Sequence, residues 1–62
     1  MPKNKYTTRR YNGDDCYSWA VFKMEDVKGL GMQIYYGEAP PLISGESKSC
    51  ANTFRDRKNK ET

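Results

Sequence analysis

No histidine occurs anywhere in this chain. That absence removes serine–histidine and cysteine–histidine nucleophile pairs, which need an imidazole to take the nucleophile's proton. It also removes the common zinc sites, since two cysteines alone do not close a tetrahedral site without carboxylates. Cysteine itself is scarce: Cys16 and Cys50 are far apart and do not make the dense framework of a small secreted scaffold. They are expected to be reduced, partly buried thiols acting as small hydrophobes; a disulfide tying strand to helix is the alternative. Long apolar runs are missing too. The stretch Cys16–Phe22 falls far short of the roughly 18 residues a membrane-spanning helix needs. No apolar segment of signal-peptide type follows the charged start Met1-Pro-Lys-Asn-Lys5. The expectation is a cytoplasmic protein with no membrane partner.

Two further signals of chemistry are incomplete. Gly29-Leu-Gly31 lacks the rest of a dinucleotide fingerprint and has no helix after it, so it reads as loop. The acidic pairs Asp14-Asp15 and Glu25-Asp26 adjoin Gly13 or lie near Gly29, and turns favour Asp for local hydrogen bonding. No catalytic residue, metal ligand or cofactor is expected, and a core this small encloses no substrate pocket. The sequence therefore points to a non-enzymatic protein.

What the chain does have is aromatic residues. The apolar fraction is only 35% and the mean hydropathy −1.04, values that bring disorder into question. Five Tyr, two Phe and Trp19 answer it, because each can bury a large area and they alternate with polar residues. Sixty-two residues hold one domain with one modest core. Residues 1–5 read as a flexible basic arm, 6–59 as the domain, and 60–62 as a frayed tail.

Tyr6–Tyr11 is rich in strand formers and reads as an edge strand guarded by its cations. Asn12-Gly13 signals a hairpin turn. Cys16–Lys23 is the clearest strand, with Tyr17, Trp19 and Val21 on one face and Cys16, Ser18, Ala20 and Phe22 on the other. Met24–Gly31 reads as a connection and Met32–Tyr36 as another strand, with Met32, Ile34 and Tyr36 facing together. Pro40-Pro41 leaves Leu42-Ile43 only a short or edge strand. A helix is expected from about Ser44–Ser47 to about Asn59, capped by Ser44 or Ser47. Glu46 would lie at its positive end and Arg55, Arg57, Lys58 and Lys60 towards its negative end.

The expected fold is α+β: a meander of two or three antiparallel strands with one C-terminal helix across the Tyr17/Trp19/Val21 face. The expected core is Tyr17, Trp19, Val21, Met32, Ile34, Tyr36, Leu42, Ile43, Cys50, Ala51 and Phe54, with Trp19 packed on the helix. Stability should be marginal, and a homodimer is a plausible remedy. The order of strand with Trp19-x-Val21, second strand with Ile34-Tyr35, then helix with Ala51 resembles the arm-type DNA-binding domains of phage integrases. In those domains a three-stranded sheet enters the major groove and a helix braces its back. Here the second strand is uncharged where those domains carry basic residues.

Charge is unevenly spread. Residues 1–11 carry +4, residues 12–54 carry −3 and residues 55–62 carry +2. Basic ends flank an acidic middle. The leading reading is a small accessory or regulatory protein, of phage or plasmid type, that binds nucleic acid. Lys3, Lys5, Arg9, Arg10, Arg55, Arg57, Lys58 and Lys60 would contact phosphates, with Tyr6 and Tyr11 interleaved. The rival is a protein-binding adaptor or inhibitor that uses the sheet edge or an exposed face with Phe22 and Tyr35.

Overall fold

The computed structural model describes residues 5–12 and 17–61. Four strands form one mixed sheet: β1 (Tyr6–Asn12), β2 (Tyr17–Lys23), β3 (Gln33–Tyr35) and β4 (Ile43–Glu46), in the order β3-β1-β2-β4. A short helix, α1 (Met24–Val27), follows β2, and the long helix α2 (Lys48–Glu61) follows β4. The α+β class and the C-terminal helix match the sequence expectation; the purely antiparallel meander of two or three strands does not. β1 pairs antiparallel with β2, but β3 pairs parallel with β1, and β4 lies antiparallel on the far side of β2. The three-stranded sheet implied by the integrase resemblance is likewise not the one observed.

The chain reaches this order by crossing one face of the sheet twice. Residues 24–32 pass from the end of β2 to β3, burying Val27 and packing Leu30. Residues 36–42 cross back to β4, burying Ala39. Pro40 and Pro41 suit this second crossing because neither carries a backbone N–H to satisfy. These crossings cover Tyr11, Ala20, Phe22 and Ile34, and together they form the main core. Tyr11 and Phe22 meet edge to face at 5.7 Å.

The opposite face takes α2, which packs on β1, β2 and β4. Val21 and Ala51 are fully buried there. Ser47 caps the helix, its Oγ accepting the Cys50 N–H at 3.2 Å. The expected alternation of β2 is therefore present, but the weight of the core is on the face that sequence reasoning left open. Of the expected core, Val21, Ile34 and Ala51 are buried; Trp19, Leu42, Ile43 and Phe54 are half-buried; Met32, Tyr36 and Cys50 are exposed. Met32 and Tyr36 fall outside the short β3, so the strand's alternation does not reach them. Cys50 is free and looks to solvent from α2; Cys16 lies outside the described residues.

The free backbone edge near β3 is partly closed by local contacts. Glu38 takes both backbone groups of Tyr35: its Oε2 accepts the Tyr35 N–H at 2.9 Å and its own N–H reaches the Tyr35 carbonyl at 3.0 Å. Gly37, with φ +93°, gives the turn that brings Glu38 back. Lower on β1, where β3 no longer pairs, Arg9 donates to the Thr7 hydroxyl and the Thr8 carbonyl. Closing an edge in this way hinders strand addition by another chain. On the other side, the register of β4 on β2 shifts between the Val21–Ile43 and Trp19–Glu46 pairs. Gly45, with φ +75°, supplies the left-handed residue such a bulge requires.

Among the described residues Thr8 is the one buried polar side chain, and its Oγ has no hydrogen-bond partner among them. It stands opposite Val21 in the register. An unsatisfied buried hydroxyl costs about 1–3 kcal/mol, and valine keeps the β-branched shape without it. Thr8→Val is expected to raise stability by roughly 1 kcal/mol, measured as an upward shift of the urea midpoint at unchanged slope. A lower midpoint would mean that the hydroxyl is satisfied.

Candidate nucleic-acid interface

The residues expected to bind nucleic acid do not form one surface. Three of them gather at the end of α2. There Asn59 Oδ1 accepts the backbone N–H groups of Lys5 and Tyr6, both at 3.0 Å, and Asn59 Nδ2 donates to the Tyr6 carbonyl at 3.4 Å. This clamp joins the first described residues to the last turn of the helix. It brings Lys5 beside the segment carrying Lys58 and Lys60. Lys5 and Lys60 are exposed, and Lys58 lies over the Phe54 ring at 5.6 Å. Lys23, paired with Tyr6 across the sheet, adds a cation at the same end.

Arg10 belongs to the other end. Its guanidinium lies 5.7 Å from the Trp19 ring, and Lys48, the first residue of α2, lies 5.2 Å from the same ring. Lys48 went unnoticed in the sequence because its place over Trp19 follows from the pairing of β4 with β2, which brings the helix start there.

The remaining arginines are otherwise engaged. Arg9 is drawn onto β1 by its bonds to Thr7 and Thr8, with Nε buried. Arg55 donates twice to Asp56, at 2.8 and 3.0 Å. It also lines a polar cleft of about 390 Å³ with Tyr6, Thr7, Met24, Asp56 and Asn59. Arg57 borders a shallow, largely apolar groove of about 310 Å³ between β4 and α2, which Ile43, Cys50 and Phe54 also line. Lys3 lies outside the described residues.

The residues expected to form a partner face are separated. Phe22 is fully buried in the main core, so it belongs to no docking surface. The reason is the double crossing of residues 24–42, which covers the face left open in the sequence reading. Tyr35 is 52% exposed and points to the opposite face, since its neighbour Ile34 enters the core. On the β3 edge, Glu38 takes the outward backbone groups of Tyr35, which shortens the ladder open to an edge-binding partner.

Among the described residues, no three acidic or cysteine side chains come together as metal ligands. No described helix is long and apolar enough to cross a membrane. No protein-family model matches the chain, and no curated protein or solved structure matches it.

Proposed function

We propose that this chain is a small non-enzymatic protein that binds nucleic acid through cations collected at the two ends of α2. One observation carries the reading: the Asn59 clamp, which draws the basic start of β1 to the basic end of the helix. Lys5, remote in sequence, is thereby brought to the helix turn where Lys58 and Lys60 flank Asn59. A cluster of cations on one end attracts a polyanion and releases its condensed counterions on contact. Phosphate contacts of this kind position a protein and carry no sequence preference. The groups free for the task are fewer than the sequence offered, because Arg9 and Arg55 are held by internal bonds.

The test is a salt titration of binding to duplex and single-stranded oligonucleotides of mixed sequence, starting near 50 mM. Lys5→Gln, Lys58→Gln and Lys60→Gln combined should weaken binding to all sequences alike. The log–log salt slope should fall by about two to three units on duplex DNA, at roughly 0.9 per phosphate contact. An unchanged slope would move the contact elsewhere on the surface. Absence of binding to any oligonucleotide would end the reading and leave protein partners as the remaining class.

A further inference from the structure

We propose that the part of the sheet beside the start of α2 is a stacking surface for single-stranded nucleic acid; this rests on the nucleic-acid reading above and adds the class of ligand. The strand registers place Gln33, Arg10, Trp19 and Glu46 in one row across all four strands. The next row holds Tyr35 beside Asn12. All these positions alternate with the core residues Tyr11, Ala20 and Ile34, so they belong to the face that carries α2. The helix packs on β1, β2 and β4, which puts β3 at the margin of the area it covers. Tyr35 is 52% exposed at that margin.

The chemistry of the row is mixed in a way that suits one class of partner. Tyr35 supplies an aromatic ring to a base. Gln33 and Asn12 supply amides, which both donate and accept and so can meet base edges. Arg10 and Lys48, held over the Trp19 ring, supply positive charge for the backbone. Glu46, the acid of the row, lies on β4 at the opposite edge of the sheet from Gln33. Base faces are hidden inside a duplex, whereas an unpaired strand offers each base for stacking. The surface also leads to the cations of the clamp. Lys48 and Lys60 lie at opposite ends of α2, about 18 Å apart at 1.5 Å per residue, so one strand running beside the helix can meet both clusters.

Trp19 is the sole tryptophan of the chain, so its fluorescence reports on this row alone. The experiment titrates the full chain with oligo-dT, oligo-U and a duplex of equal length, following Trp19 emission and oligonucleotide anisotropy together. Single strands should bind at least about tenfold tighter than duplex at equal salt, with a change in Trp19 emission; a preference for either sugar is consistent with the site. Tyr35→Ala should weaken single-strand binding about tenfold, within the range found for loss of one stacked base. Duplex binding should be unaffected by that variant, and Tyr35→Phe should retain single-strand affinity. Arg10→Gln with Lys48→Gln should lower the single-strand salt slope by about 1.4, at roughly 0.7 per contact. Binding seen by anisotropy with silent Trp19 emission, or a Tyr35→Ala chain that binds single strands like the parent, overturns the stacking surface while leaving the cationic clamp intact. Failure to bind any oligonucleotide overturns both.

Discussion

Phe22→Ala is expected to unfold most of the population at room temperature. Phe22 is fully buried and is the largest such side chain among the described residues. Truncating a buried phenylalanine costs about 3–5 kcal/mol, and its edge-to-face contact with Tyr11 adds to the loss. A domain of this size has only about 3–9 kcal/mol in total, at the usual stability per residue. Trp19→Ala is the instructive comparison. Trp19 is half-buried and its ring is covered in part by the long, charged side chains of Arg10 and Lys48. Its removal should cost clearly less than that of Phe22, although tryptophan is the bulkier residue. Urea melts of the two variants decide the matter. If Trp19→Ala proves the more damaging, the principal core lies under α2 and not beneath the two crossings.

The second large effect is expected at Asn59, a polar residue that stability arguments based on burial would pass over. Asn59→Ala removes the acceptor for two backbone N–H groups and the donor to the Tyr6 carbonyl. The expected loss is about 1–3 kcal/mol, with partly buried groups of Tyr6 left to water or unpaired. Asn59→Asp keeps the acceptor and loses the donor, and it places a negative charge at the unfavourable end of the helix dipole. It should therefore fall between the parent and the alanine variant. Amide hydrogen exchange gives a local readout: the Lys5 and Tyr6 amides should exchange faster in Asn59→Ala than in Asn59→Asp. Equal exchange in the parent and both variants would show that the clamp does not hold the strand.

The helix was legible in the sequence because its signals are local: its end falls two residues beyond Asn59, and of the two caps expected Ser47 serves while Ser44 and Glu46 belong to β4. Ser47 caps it, and the basic residues accumulate towards its end. The alternation of β2 was legible for the same reason. Which side of β2 carries the main core was not. Tyr17, Trp19 and Val21 outweigh Ala20 and Phe22 in bulk, so the sequence favours the first set. The residues that complete the other side, Val27, Leu30 and Ala39, are scattered through polar connections and show no period. The parallel pairing of β3 was hidden too, since a three-residue strand alternates identically beside either neighbour and in either direction.

The candidate site shows the same division. Basic ends were visible as composition, yet composition does not reveal that Arg9 and Arg55 are engaged internally. Nothing in the sequence singles out Asn59, whose role depends on a partner at the opposite end of the chain. Arg10 was counted as one of a basic run. Its position over Trp19, in line with Gln33, comes from registers that only the folded sheet fixes.

The clamp also sets an order of events during synthesis. β1 leaves the ribosome first and meets β2 almost at once, because the two are neighbours in the chain. Its parallel partner β3 comes later, and the side chain that ties down its start belongs to residue 59. Until residues 24–42 have emerged, the nascent protein is a hairpin with Phe22 uncovered, and the start of β1 stays untied until residue 59 follows. Such long-range closure slows folding and prolongs exposure of apolar surface. For this chain, the tie on the start of β1 is thus a late event, possible only after every strand and nearly all of α2 have been made.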